Sequence, residues 1–111
     1  MARTRTSQAP ETRRSPCPVA CALDIFGDRW TLLLIRDMAG GKTTFSQFAA
    51  SPEKMATNIL AARLEKLVAE GLAARRPRAD HAGRDEYVLT PRGLSLLPLL
   101  GAIADWGVAN I

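Results

Sequence analysis

The sequence predicts a mainly α-helical domain carrying one small β-hairpin, and three observations predict it. Apolar residues recur at helical spacing through residues 55–72, MATNILAARLEKLVAEGL, where Ile59, Leu60, Leu64, Leu67 and Val68 form one stripe. Just before it stands a shorter apolar segment, opened by a cap and closed by Ser51-Pro52. After it come two short extended segments around a turn-prone, arginine-rich loop. Short helix, tight turn, longer helix and basic hairpin together make a winged helix-turn-helix.

Composition sets the frame for the elements. Residues 1–16, MARTRTSQAPETRRSP, lack apolar periodicity and are expected to be a disordered basic tail, leaving residues 17–111 as the domain. A hydrophobic fraction of 47% supports a small core. No uninterrupted apolar run approaches the ~20 residues of a membrane span, and no signal-peptide pattern opens the chain. The expectation is a cytoplasmic protein without membrane contact. The net charge is +4, but its distribution says more. Arg3, Arg5, Arg13 and Arg14 against Glu11 put +3 on the first sixteen residues. Arg75, Arg76, Arg78 and Arg84 against Asp80 put another +3 on residues 72–84. Two basic segments around a neutral core suit a polyanion.

In chain order, residues 17–26 read as a first helix, with Pro18 at the first helical position and Cys17 at the N-cap. Val19, Ala22, Leu23 and Phe26 make one stripe, and Cys21 and Ile25 lie on another face, so this helix needs two partners, the second suited to another subunit. Gly27-Asp28 breaks the chain, and Asp28 is expected to cap a helix over residues 29–39 with Trp30, Leu33, Leu34 and Met38 inward. Gly40-Gly41 ends it. The GKTT that follows is no phosphate loop, because that motif needs a glycine where Arg36 stands, and a strand before it.

Thr44-Phe45-Ser46-Gln47 fits a capping box, opening a short helix over residues 45–50 that buries Phe45, Phe48 and Ala49. The longer helix then starts either at Ser51-Pro52-Glu53 or nearer Thr57, and Gly71 stops it. Its outer face carries Thr57, Asn58, Ala61, Ala62, Arg63 and Glu65, small and polar enough to approach base-pair edges. Residues 72–78 and 85–90 read as hairpin strands joined by a turn over residues 79–84, with Pro77 confined to an edge or the tip. Thr90-Pro91 opens a last helix, apolar nearly all round through Leu94, Leu96, Leu97, Leu99, Leu100, Ile103 and Trp106. It must be covered, and Pro98 should kink or split it.

No catalytic constellation is present in the sequence. His81, the single histidine, falls on the hairpin and reads as a wing residue. Cys17 and Cys21 fall short of a structural zinc set, and a reducing compartment argues against their pairing. Asp24, Asp28 and Asp37 read as solvated or capping groups. The expectation is therefore no enzyme, no metal and no cofactor.

In this order the pieces resemble the HxlR-type winged helix-turn-helix regulators of bacteria. The matching segments are Cys17-Pro18, LDIFGDRWTLLLIRDM at residues 23–38, TFSQF at residues 44–48, MATNILAARLEKLVAEGL at residues 55–72, YVLTPRG at residues 87–93, and Trp106-Gly107. The resemblance implies a homodimeric DNA-binding transcriptional regulator, dimerising through its first and last helices, and leads one to expect more C-terminal helix beyond Trp106-Gly107. Cys21, Ile25, Leu97, Leu100, Ile103 and Trp106 are the expected dimer residues. Thr44, Thr57, Asn58, Ala61, Arg63, Arg75, Arg76, Arg78, His81 and Arg84 are the expected contacts to double-stranded DNA, Asn58 with adenine, Arg63 with guanine or a phosphate. Cys17 inherits a suggested role in sensing oxidants or electrophiles, against the alternative of a cysteine that caps and packs; a small-molecule effector is compatible with either. The competing functional reading is a winged-helix module that binds protein and not DNA.

Overall fold

The computed structural model describes residues 15–78 and 81–111, with residues 81–84 described by backbone alone. Most of the basic leader, including Arg3, Arg5, Arg13 and Arg14, and the side chains of His81 and Arg84 therefore lie outside the described residues. The order is α1 (Pro18–Phe26), α2 (Thr31–Ala39), α3 (Phe45–Ala49), α4 (Thr57–Ala69), β1 (Ala73–Arg78), β2 (His81–Leu89), α5 (Pro91–Leu94) and α6 (Leu97–Asn110).

The core forms where three helices and the hairpin converge. Leu60, Leu64 and Leu67 of α4 are fully buried against Leu34, Ile35 and Met38 of α2, Phe48 of α3, Met55, Leu72 and Ala73. Each buried leucine contributes about 2 kcal/mol of apolar transfer. Ile35 was not on the expected stripe, and Leu33 is only half-buried, so the inward face of α2 is rotated from its sequence reading. Phe45, expected inside, is exposed at the start of α3.

Local chemistry sets the ends of the elements. Asp28 accepts from the amides of Trp30 and Thr31 and from the Thr31 hydroxyl and so holds the entry to α2, but the helix begins at Thr31 rather than Arg29 and its N-cap is Trp30, not Asp28. Thr44 and Gln47 close a complete capping box on α3. The longer helix starts at Thr57, the later of the two possible starts. It ends in a Schellman motif: Gly71 at φ 75° donates to the Val68 carbonyl, and Leu72 donates back to Leu67. That reversal drops Leu72 into the core and starts β1.

The hairpin is antiparallel, from Ala73 opposite Leu89 to Pro77 opposite Asp85, with an irregularity before Arg78 pairs with His81. β2 thus begins well inside the expected turn. Pro77 sits beside the irregularity, where its missing donor does least harm. Tyr87 fixes the hairpin to the helices, its amide donating to the Thr43 carbonyl and its ring meeting Phe48 edge-on at 6.4 Å.

Pro98 splits the last helix into α5 and α6. Thr90 caps α5 and also donates to the Gly71 carbonyl. Gly93 is pressed against the chain reversal, where an added Cβ would stand 2.1 Å from the Leu72 carbonyl oxygen. Neither α1 nor α6 has a buried residue. Ile25, Leu97 and Leu100 pack on the margin of the core, while Val19 (66% exposed), Leu23, Ile103, Trp106 (65%) and Val108 face outward. The outward side of α1 is therefore Val19 and Leu23, not the Ile25 face expected to meet a second subunit. Taken together, Pro91–Asn110 is long and apolar enough to cross a membrane by length and composition, with a window of mean hydropathy 1.2 that is 6% buried.

Gly93→Ala should destabilise the fold by about 1–3 kcal/mol through overpacking against backbone that has nowhere to move. A urea titration followed by circular dichroism reads this as a lower midpoint at unchanged slope; an unaltered midpoint would mean that α5 yields freely.

Candidate nucleic-acid interface

Three groups of side chains fix how α3, α4 and the hairpin are presented. The first centres on Asp37, which is 7% exposed rather than solvated. Its Oδ2 accepts from the Ser51 hydroxyl at 2.6 Å, and its Oδ1 accepts from Nε and Nη2 of Arg36. Arg36 also grips Glu53 through two bonds of 2.8 Å, which hold the Glu53 carboxyl down at about 2 and push the guanidinium up. Lys42 completes the cluster by donating to Ser51 Oγ at 2.7 Å. The turn between α3 and α4 is thereby tied to the end of α2. Within that turn Lys54 adopts φ 56°, the left-handed region that non-glycine residues rarely occupy. The signal in the sequence was Asp37 itself, a carboxylate on the inward stripe three residues from Leu34 and next to Met38.

The second group joins α4 to the start of α2. Arg63 Nε donates to Asp28 Oδ2 at 2.8 Å. This residue was expected at a base or phosphate; it is turned back into the protein instead, because that carboxylate lies within its reach. One turn along, Lys66 Nζ donates to the Asp24 carbonyl at 3.0 Å and binds α1 to α4. What remains exposed on α4 is Thr57, Asn58, Ala61, Ala62 and Glu65, with Ala69 at its last turn. No side chain caps this helix, so the positive end of its dipole faces outward beside Thr57 and Asn58.

The third group is the hairpin. Arg76 Nε donates to Glu86 at 2.6 Å, and Arg75 lies 3.8 Å from Asp85 with its guanidinium over the Tyr87 ring. Arg78 stands with Thr44, Phe45, Ser46 and Asp85 around an open cleft of about 170 Å³ between α3 and the wing. The structure therefore brings Thr44 and Arg78 together, while Thr44 also serves as the cap of α3.

The cysteines make a separate site at the start of α1. Cys17 is exposed, and the amides of Ala20 and Val19 hold its thiol below the ordinary value against a small opposing effect of burial. Cys21 donates its thiol to the Ser15 carbonyl. Both are free thiols, and no group of metal-ligating side chains occurs among the described residues.

Asp28 carries a pH signature. Partial burial pushes its carboxyl up, but the Thr31 hydroxyl, Arg63 and the amides of Trp30 and Thr31 outweigh that and bring it to about 2. A folded value below the unfolded one, near 4, stabilises the protein above about pH 4, and this is lost as pH falls toward 2. With allowance for solvent screening, wild type should lose about 1 kcal/mol more than Asp28→Asn across that window. Parallel melts of the two at pH 5, 4, 3 and 2 check this; curves that stay parallel would remove Asp28 from the linkage.

A family model described as HxlR-like helix-turn-helix matches residues 25–111. Among curated proteins, the uncharacterised HTH-type transcriptional regulator YvaP of Bacillus subtilis is 34% identical over 85 residues, 77% of this chain and 79% of YvaP. Among solved structures, PA1607 aligns at 42% identity with a TM-score of 0.82, over 91% of this chain and 70% of that one. The redox regulator HypR in its reduced form aligns at 30% identity with a TM-score of 0.76, over 85% and 93%. The fold, the order of its elements and these similarities agree: the chain belongs to the HxlR-like helix-turn-helix family.

Proposed function

We propose that this protein is a sequence-specific DNA-binding transcriptional regulator that binds a palindromic operator as a homodimer. The observation that carries this reading is the outer face of α4, where small exposed residues are presented on a helix locked at both ends. In this reading Thr57, Asn58 and Ala61 meet base edges in the major groove, with Asn58 suited to adenine. Thr44, Arg75, Arg76 and Arg78, together with His81 and Arg84, hold phosphates or the adjacent minor groove. Arg63 acts through Asp28 and sets the rotation of α4. Regulation, not catalysis, is the activity; the compartment is the cytoplasm, and the domain spans residues 17–111.

The outward apolar residues of α1 and α6 support the dimer. Val19, Leu23, Ile103, Trp106 and Val108 leave a surface that a two-fold partner would cover, placing two copies of α4 about one DNA turn, ~34 Å, apart. Cys17 supports a second layer, since it is exposed, has a lowered thiol pKa, and the chain resembles a redox regulator. Oxidation or an adduct at Cys17 would shift α1 and alter the spacing of the two recognition helices.

In a mobility-shift assay, Asn58→Ala should narrow the gap between specific and random DNA by about 1–3 kcal/mol. Arg78→Ala should weaken both alike and reduce the salt slope by about one unit. Binding to neither DNA at low salt would favour the protein-interaction module. The same assay before and after diamide, with Cys17→Ser alongside, should show a response only in wild type; an indifferent wild type leaves Cys17 as a structural cap. Sedimentation at micromolar concentration should give a dimer that Trp106→Asp dissociates, through a buried unpaired charge. A monomeric wild type would end the dimer reading.

A further inference from the structure

A second open cleft of about 170 Å³ lies where α1 meets the chain reversal after α4. Ala22, Ile25 and Phe26 of α1 form one wall, and Leu72 and Leu96 face them. The polar side is Arg92 with Ser95. An enclosed void of roughly 150 Å³ with apolar walls holds one benzene-sized ring, so this cleft of similar volume seats a single ring with one side left to solvent. Arg92 is held in place by its Nε bond to the Glu70 carbonyl at 2.8 Å, while its Nη2 stands 3.9 Å from Glu70 Oε1. That separation exceeds a formed hydrogen bond, so the positive charge is oriented but loosely matched. The Ser95 hydroxyl donates to the Arg92 carbonyl, which leaves the guanidinium as the cationic donor of the lining.

We propose that this cleft binds a compact one-ring carboxylate, its ring between Ile25, Phe26, Leu72 and Leu96 and its carboxylate on Arg92. The position gives such a ligand leverage. α1 is secured to α4 by Lys66, and Leu72 is the residue that closes α4, so filling the space pushes the outward-facing helix away from the recognition helix. Control of DNA affinity by this route rests on the DNA-binding role proposed above; the binding itself does not.

Benzoate is the probe, titrated into the full chain without DNA and followed by amide chemical shifts. The expected result is saturable shifts centred on Ala22, Ile25, Leu72 and Leu96, with benzyl alcohol about tenfold weaker for want of a charge-assisted bond. Arg92→Gln should cut benzoate affinity by about the same factor and leave benzyl alcohol unchanged. Ala22→Leu, which fills the space, should abolish both, and it decides the matter alone if Arg92→Gln does not fold. Scattered, unsaturable shifts, equal affinity for the neutral probe, or binding that survives Ala22→Leu would overturn the assignment. With DNA present, benzoate should change affinity in wild type and not in Ala22→Leu; no change in wild type would overturn the control while the binding result stands.

Discussion

The buried carboxylate of Asp37 is the constraint on which the rest depends. A charge at that depth is costly unless its oxygens are bonded, and here Arg36 binds one and Ser51 the other, from two directions. Removing either partner strands the charge, so the turn after α3 has no cheap alternative conformation. The angle between α3 and α4 follows from that turn. So does the face that α4 presents, because Arg63 can reach Asp28 only with the helix in this rotation. Thus two carboxylates, one at each end of α2, orient the helix beyond them.

The legible parts of the fold were those encoded within a few residues. Thr44 with Gln47, Gly71 at the end of α4, and Pro98 at the split of the last helix each act on their own neighbours, and each does in the structure what the spacing implied. The illegible parts needed distant partners. Asp37 meets a residue 14 positions on, and Arg63 one 35 positions back; the place of Asp37 on the inward stripe marks it as buried but names no partner, and nothing near Arg63 points to Asp28. The faces of α1 were misassigned for the same reason: a helix apolar on two sides does not say which side its own chain will cover. Phe45 shows a further limit, since apolar character alone does not place a residue inside when it opens a short helix beside a cleft.

The wing is less positive at its surface than its run of arginines suggests. Arg75 and Arg76 face Asp85 and Glu86 across the hairpin, the register that pairs Arg76 with Glu86 and Pro77 with Asp85 bringing opposite charges together. Pairs this exposed are weak, of order 0–1 kcal/mol, so a phosphate can displace the carboxylates at little cost.

Lys54 makes the turn a filter on sequence change. Its backbone occupies the left-handed region, where β-branched side chains are disfavoured and glycine or asparagine is at home. The neighbouring Glu53 and Ser51 are held by partners, so the turn cannot relax around a poor residue. Drift at position 54 is therefore governed by dihedral angle rather than by charge. Swapping lysine for an uncharged glycine or asparagine is a smaller perturbation there than swapping it for valine, and a chain sampling variants at random would keep the shape of its readout helix while its surface charge wandered.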